Sequence, residues 1–234
     1  MVSKSFKKVY QFKIRLLDIK PPIWRRIQVP ESYTFFELHA AIQAAMGWNC
    51  YHLHEFQIVH PKTGKEARIV TDPDEEAFDS FSFEQGFKRI TEKQDLTEEQ
   101  KNIFLHMHKM IMENREPVFD ERKEKISDWF STDNNVAIYI YDFGDWFEHE
   151  VKLEKILPRE NNTHYPNCIA GKRACPPEDC GGPGAYMEFI QMLKDPQSRD
   201  IELMHWYGED FDPEYFDLKT VNSDRFKRYL RSCV

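Results

Sequence analysis

The chain has 234 residues, of which 41% are apolar and 14% aromatic, and its formal net charge is −8 at pH 7. This composition excludes a disordered chain, and the length is sufficient for a large hydrophobic core. The five cysteines are an odd number, and residues 1–17 contain no apolar run that resembles a signal peptide. No apolar run reaches the roughly 18 residues that a transmembrane helix requires. We therefore expect a cytoplasmic protein that does not insert into a membrane.

Positive charge is concentrated at the start of the chain. Residues 1–30 contain eight lysines and arginines and a single acidic residue, Asp18. A basic face that attracts nucleic acid is one interpretation, and pairing with acidic residues elsewhere in the chain is another. The net negative charge argues against broad attraction to nucleic acid. Nucleic-acid binding is therefore the less favoured interpretation.

Two strands are predicted at the beginning of the chain. Apolar and polar residues alternate over 10–16 and again over 23–29, which is the period of a half-buried strand. Pro21 and Pro22 interrupt the pattern because they lack the backbone N–H that a strand ladder uses. We expect the two strands to pair in antiparallel orientation.

A helix and a third strand follow. Thr34 and Glu37 have the spacing of a capping box, apolar residues then recur at helical intervals, and Gly47 stands where helices commonly end. The segment HLHEFQIV, residues 52–59, returns to strand alternation. The β-β-α-β order predicts an α+β fold with a mixed or antiparallel sheet, in a β-grasp-like arrangement packed on helices.

The middle of the chain is predicted to contain an insertion. Residues 71–95 are acidic and lack periodicity, whereas residues 97–116 have the apolar stripe of an amphipathic helix. We therefore predict a single domain over residues 1–234, with an acidic and helical insertion at about 74–130.

A hairpin and a helical region complete the chain. Residues 134–157 alternate on both sides of a turn that contains Gly144, which is typical of a β-hairpin. Helices are predicted over 185–195, 198–208 and 222–232, so the C-terminal region is expected to be helical.

Five motifs together resemble those of a known family. They are KPPIWRRIQVP, AAMGWNCYHLHEFQI, YIYDFGDWFEHEVKLEKIL, YPNCIAGKRACPPEDCGGPGAY and WYGEDFDPEYFDLKTVN, and they lie between residues 8 and 222. In this order they resemble the plasmid pRiA4b ORF-3-like family. The resemblance implies a compact α+β domain of a soluble protein with no established activity. It also implies an association with plasmids and mobile elements, which is a further reason to keep the nucleic-acid alternative.

The cysteine segment CIAGKRACPPEDC is a candidate zinc site. Cys168, Cys175 and Cys180 could form a tetrahedral site together with a histidine from the set His52, His54 and His149. His52 and His54 are two residues apart, so on a strand both would point to one face and could chelate a metal. The alternatives are cysteines packed as small apolar residues and a hydrogen-bonded pair of core histidines, and we favour these alternatives over the metal.

The hairpin tip carries the candidate catalytic residues His149, Asp142 and Asp145. Both aspartates are also explained by a turn, because Asp readily accepts backbone N–H hydrogen bonds there. Strand alternation places His149 on the core side, with Glu148 and Glu150 pointing outward. We expect a carboxylate from another segment to hold the His149 ring and to raise its pKa, which a general base would also require.

Four further residues are candidates for ligand binding. Arg25 and Arg26 lie on opposite faces of the second strand, so one should face the covered side and pair with a carboxylate of the hairpin, either structurally or as an anion-binding fork. Trp146 is a candidate because this chain departs from the aromatic pattern of the family there, and Tyr186 is a candidate because it matches that pattern. Trp146 occupies a position that is usually small and polar.

These observations favour a ligand-binding or interaction module whose pocket forms where the hairpin, the HLHEF segment and the cysteine segment converge. The ligand would be a small molecule or a protein partner. A metal-dependent enzyme with a Cys/His zinc site is the second hypothesis, and a nucleic-acid-associated protein of mobile elements is the third. The sequence does not decide whether the protein is an enzyme.

Overall fold

The computed structural model of the protein describes residues 6–73, 117–195, 201–208 and 210–222. The strands are β1 (Lys8–Leu16), β2 (Trp24–Pro30), β3 (His54–Val59), β4 (Glu66–Val70), β5 (Val118–Asp120), β6 (Val136–Tyr141), β7 (Phe147–Pro158) and β8 (Asn167–Lys172). The helices are α1 (Phe35–Met46), α2 (Ile126–Trp129), α3 (Gly182–Lys194), α4 (Ile201–Tyr207) and α5 (Leu218–Val221). The helix predicted over 97–116 lies outside these residues, and so does the one over 222–232 except for Asn222.

The described strands form one eight-stranded sheet in the order β5-β4-β3-β6-β7-β1-β2-β8. Neighbouring strands pair in antiparallel orientation, except that β5 pairs parallel with β4, so the sheet is mixed. The predicted α+β class and the β-β-α-β order of the first elements are confirmed. The β-grasp-like arrangement of these elements stays a prediction.

The local signals of the first elements are confirmed in detail. β1 pairs antiparallel with β2, and the apolar residues of β1 point into the core. The Thr34 side chain accepts from the Glu37 backbone N–H while the Glu37 side chain accepts from that of Thr34, which satisfies two donors at the start of α1. Gly47 ends the helix with φ of 96°, a left-handed conformation that glycine adopts without steric cost.

The two faces of the sheet differ in polarity. One face packs against α1 and α3 through a core of aliphatic and aromatic side chains. The other face carries ion pairs that cross between strands, among them Arg15 with Glu150 and Arg26 with Glu154. This division is typical of an antiparallel sheet with one solvated face.

The last part of the predicted insertion contains β5 and α2, which pack with the rest of the described domain. Residues 74–116 lie outside the described part of the chain, but residues 117–130 belong to the core domain. β5 extends the sheet, and Ile126, Trp129 and Phe130 are buried around Phe35 of α1. The insertion at about 74–130 stays a prediction, and β5 and α2 within its last part were not predicted because they carry too few residues to show a periodic pattern.

The C-terminal region contains two of the three predicted helices. In α3 and α4, the Phe189 and Tyr207 rings stack with centroids 3.5 Å apart. Within the described ranges, none of the helices has both the length and the apolar character needed to cross a bilayer.

Candidate functional site

The hairpin between β6 and β7 ends in a tight turn organised by Asp142. This residue has φ of 60°, and its Oδ1 accepts from the backbone N–H of Gly144 at 2.9 Å and of Asp145 at 3.3 Å. The predicted turn role of Asp142 is confirmed. After the turn, Trp146 is half exposed and Phe147 is buried.

The hairpin tip contacts the start of α3 directly. Asp145 Oδ2 accepts from the backbone N–H of Gly181 at 3.0 Å. At Gly182, which has φ of 79°, an added Cβ would lie 2.3 Å from the carbonyl oxygen of Asp145. Only glycine permits this approach, so Gly181 and Gly182 of CGGPG contact Asp145 of DFGD directly.

The cysteine segment is held on the end of α1. Trp48 Nε1 donates to the carbonyl oxygen of Pro176 at 2.8 Å. Glu178 Oε2 accepts from the backbone and side-chain nitrogens of Asn49 at 2.9 and 2.7 Å, and Glu178 Oε1 accepts from the Tyr141 hydroxyl. Three segments that are distant in sequence therefore meet at this end of the sheet. They are residues 48–52, the hairpin tip 141–146 and the segment 175–182, and we call the place where they meet the junction.

A cluster of three potential metal ligands lies at the junction. His52 Nε2 lies 3.6 Å from Asp142 Oδ2 and 3.2 Å from Asp179 Oδ1, and the three ligand atoms all lie within 4.8 Å of one another. His52 Nε2 is shielded from solvent and makes no hydrogen bond with the described residues. Asp142 is buried, whereas the side chain of Asp179 is 69% exposed, so the cluster opens to solvent on the Asp179 side.

The predicted pairing of His52 with His54 is wrong. β3 begins at His54, so strand alternation does not extend to His52, and the two rings have different partners. His54 Nε2 lies 2.7 Å from the buried Glu121 Oε2, and its ring stacks on that of His39 with centroids 3.5 Å apart. His54 is therefore a hydrogen-bonded core histidine, but its partner is Glu121, so the favoured core pair of His52 with His54 does not form either.

His149 points into the core as predicted, but its predicted carboxylate partner is absent among the described residues. Nδ1 donates to the carbonyl oxygen of Tyr139 at 3.2 Å, and Nε2 has no hydrogen-bond partner in the described chain. Burial lowers the pKa of His149 to about 4, which is the reverse of the expected rise. Nothing in this environment prepares His149 to act as a base toward a ligand.

The structure does not bring the three cysteines together with a histidine as one group of close ligands among the described residues. Among the described residues, the sole group of three or more close His, Cys, Asp or Glu ligands is His52, Asp142 and Asp179. The Cys175 sulfur lies 3.3 Å from the Met46 sulfur, and burial raises the pKa of each of the three thiols. Cys168 is buried in the core, and Cys175 and Cys180 pack against it. The Cys/His zinc site stays a prediction that the described geometry does not favour, because spacing alone does not show which way each side chain points.

One arginine of β2 faces the covered side as expected, but it is not the one that pairs with a carboxylate of the hairpin. Arg25 is the buried one, and its guanidinium pairs with no carboxylate among the described residues: it donates to the carbonyl oxygens of Trp24, Ala45, Lys172 and Arg173 and to the Cys175 sulfur. The hairpin carboxylate, Glu154, forms a two-point pair with Arg26 at 2.6 and 2.8 Å instead. Neither guanidinium has the open fork that an anion site would need.

Asp179 is the cluster residue that the sequence did not single out. It stands in PPEDC, between two cysteines that attracted attention as metal ligands, and its φ of 61° turns it toward His52. The signal in the sequence that could have identified Asp179 was the pair of acids, Glu178 and Asp179, directly after two prolines. Tyr186, a predicted ligand-binding residue, lies away from this cluster and lines a separate pocket.

Comparison with known proteins identifies relatives over almost the whole chain. A model of the family described as plasmid pRiA4b ORF-3-like protein matches residues 8–220. The uncharacterized protein y4hQ of Sinorhizobium fredii is 30% identical over 216 residues, which cover 92% of this chain and 89% of that protein. The crystal structure of a protein of unknown function, MM3350 from Methanosarcina mazei Go1, is 43% identical with a TM-score of 0.72, covering 92% of this chain and 98% of that chain.

None of these names states an activity. The family model spans all of the described strands and the junction. The chain therefore belongs to the plasmid pRiA4b ORF-3-like protein family.

Proposed function

We propose that the protein is a ligand-binding module whose site is the junction, and that a divalent metal ion bound by His52, Asp142 and Asp179 is part of that site. One imidazole and two carboxylates are ligands that suit Zn²⁺, Mn²⁺ and Fe²⁺. The observation that carries the proposal is the shielded His52 Nε2, which faces two carboxylate oxygens without a hydrogen bond among the described residues.

The distances in the cluster support a shared ion. Two ligand atoms bound to one ion at about 2.1 Å lie roughly 3 to 3.5 Å from each other in tetrahedral or octahedral geometry. His52 Nε2 is 3.2 Å from Asp179 Oδ1 and 3.6 Å from Asp142 Oδ2, so small side-chain rotations bring all three to one centre. Three protein ligands leave coordination positions for water or for a bound molecule.

A cavity beside the cluster offers room for that molecule. It has a volume of about 400 Å³, and its lining includes Trp48, Asn49, Tyr51, Glu178 and Asp179. Asp179 belongs both to this lining and to the cluster, so a ligand in the cavity would reach the ion. Tyr51 is 77% exposed at the rim, where its ring can cover the flat face of a ligand.

The proposal replaces the Cys/His zinc hypothesis with a different ligand set. It keeps His52 and Asp142 from the predicted candidates and adds Asp179, while the cysteines serve the packing of the segment that carries Asp179. The site binds its ligand through the ion, and an enzymatic reaction is not required for that role.

Calorimetric titration with Zn²⁺ and Mn²⁺ tests the proposal. The protein is prepared without a polyhistidine tag and stripped with a chelator, and we expect about one ion to bind per chain. His52→Ala and Asp142→Asn should each weaken binding by about tenfold or more. The first removes the ligand nitrogen, and the second replaces a carboxylate by a neutral amide that keeps the oxygen needed to organise the turn.

Two matched variants serve as controls. His164→Ala removes an exposed histidine far in sequence from the cluster, and Cys175→Ser changes the central cysteine of the Cys/His zinc hypothesis. Both should bind the ion as the parent protein does. The proposal fails if the parent protein binds neither ion, or if Cys175→Ser abolishes binding that His52→Ala leaves intact.

A further inference from the structure

A second pocket lies between the turn after β1, helix α3 and the segment that follows α4. Its volume is about 340 Å³, near the lower end of the range of about 300 to 1,000 Å³ that small-molecule sites occupy. Its lining residues are Ile19, Lys20, Pro21, Ile23, Arg173, Tyr186, Ile190, Leu193, Lys194, Pro213 and Glu214. None of them belongs to the His52 cluster or to the cavity beside it.

The inner walls of this pocket are apolar and belong to the core. Ile19, Ile23, Tyr186 and Ile190 are all buried members of the main core cluster. Side chains that are packed on their far side hold their positions, so the pocket is formed before any ligand arrives. An apolar group that enters would leave water and contact these side chains.

The charged residues of the lining are mostly cations. They comprise Lys20, Arg173 and Lys194, with Glu214 as the single acid. Glu214 is already engaged, because its Oε1 accepts from Arg173 Nε at 2.7 Å, and Arg173 also donates to the carbonyl oxygen of Pro22 at 3.0 Å. The two exposed lysines therefore set the charge of the mouth, in a protein whose net charge is −8.

We propose that this pocket binds a small carboxylate with an apolar body, such as a medium-chain or aromatic monocarboxylic acid. The apolar body lies against Ile19, Ile23 and Ile190, and the carboxylate lies at the mouth near Lys20 and Lys194. A neutral apolar molecule would gain no electrostatic attraction from the lysines. A polyanion would lose its hydration in the apolar interior, which has too few polar groups to replace it.

Decanoate and 1-decanol are matched probes for this site, because they share a chain length and differ in charge. We expect decanoate to bind, as measured by calorimetry below its micelle-forming concentration, about tenfold or more tightly than 1-decanol. Lys194→Glu should remove this preference by weakening decanoate and leaving 1-decanol unchanged. Leu193→Trp should weaken both probes, because the larger ring fills the space.

Lys62→Glu is the control for charge, since it places the same reversal on an exposed lysine outside the pocket. It should leave both affinities as they are. Leu193 is half-buried and Lys194 is exposed, so we expect both variants to fold, and circular dichroism melting of each variant checks this. The proposal is overturned if neither probe binds, or if decanoate and 1-decanol bind equally and Lys194→Glu changes neither.

The pocket and the junction are tested independently. Metal binding by the His52 cluster is measured without any carboxylate, and decanoate binding is measured in the presence of a chelator. A negative result for one site therefore leaves the proposal for the other site unaffected.

Discussion

His149 shows how burial decides the chemistry of a single residue. Its Nδ1 donates to a carbonyl oxygen, so the neutral ring leaves Nε2 as a bare acceptor among the Trp48 and Tyr139 rings. A proton on Nε2 would add a charge and an unsatisfied donor to a site that is 0% exposed. The low pKa of His149 is therefore a property of the core, and it has a consequence for stability.

We expect His149 to make the protein less stable in acid. Between about pH 6.5 and the folded-state pKa of about 4, the unfolded chain binds a proton at this residue and the folded chain does not. The free energy of unfolding therefore falls as the pH falls through this range, by on the order of 3 kcal/mol for this group. Urea unfolding at about pH 7 and about pH 4.5 measures the change.

His149→Leu should show a smaller loss of stability over the same pH interval than the parent protein. The pKa of His39 is also lowered, by burial and by the neighbouring His54, but this contribution is present in both proteins and cancels in the difference. Equal pH dependence in the parent and in His149→Leu would contradict the prediction.

At the scale of elements, the junction depends on one close approach between the β6–β7 hairpin and the start of α3. The hairpin supplies the Asp145 carbonyl oxygen and carboxylate, and the helix start supplies Gly181 and Gly182. This contact sets the position of the segment that carries Asp179 relative to the turn that carries Asp142. A change at the contact should therefore affect both stability and the geometry of the His52 cluster.

Gly182→Ala should destabilise the protein by about 2 to 4 kcal/mol, because the new Cβ meets a backbone oxygen and the residue has a left-handed conformation. Gly184→Ala is the matched control, since nothing lies within 4 Å of the added Cβ and the position is in α3. It should be neutral or stabilising by up to about 1 kcal/mol. If the two variants had similar stabilities in thermal and urea unfolding, the close approach of residue 182 to the Asp145 carbonyl oxygen would not require glycine.

At the scale of the whole molecule, the three arginines at the basic start of the chain are buried or paired. Arg25 is buried, and Arg15 and Arg26 pair with glutamates of β7. Pairing with the acidic body, one of the two interpretations of the sequence, therefore accounts for Arg15 and Arg26, and burial accounts for Arg25. Any attraction of the remaining lysines for nucleic acid is opposed by the net charge of the protein, which is −8.

We therefore expect no saturable binding of a labelled DNA or RNA duplex at about 150 mM salt, measured by fluorescence anisotropy. Binding that weakens steeply with salt, and that Lys8→Ala and Arg26→Ala reduce, would instead support the nucleic-acid hypothesis. The salt series separates the two outcomes because phosphate contacts release counterions.

The elements were predictable because their signals are local. The alternation of β1 and β2, the capping box of Thr34 and Glu37, and the Gly47 end of α1 depend on residues within a few positions of one another. The turn of the hairpin was predictable for the same reason. Short elements such as β5 and α2 were missed because they contain too few residues to repeat a pattern.

The site could be predicted only in part, as a convergence of the hairpin, the HLHEF segment and the cysteine segment. The sequence by itself determined the family, the α+β class and the inward direction of His149, since motifs and periodicity record these directly. Tertiary structure alone decided that His52 meets Asp142 and Asp179, that His54 pairs with Glu121, and that the cysteines do not join a histidine in one group of close ligands. These contacts join residues from distant parts of the chain, and the packing of strands and loops, which no local pattern encodes, brings them together.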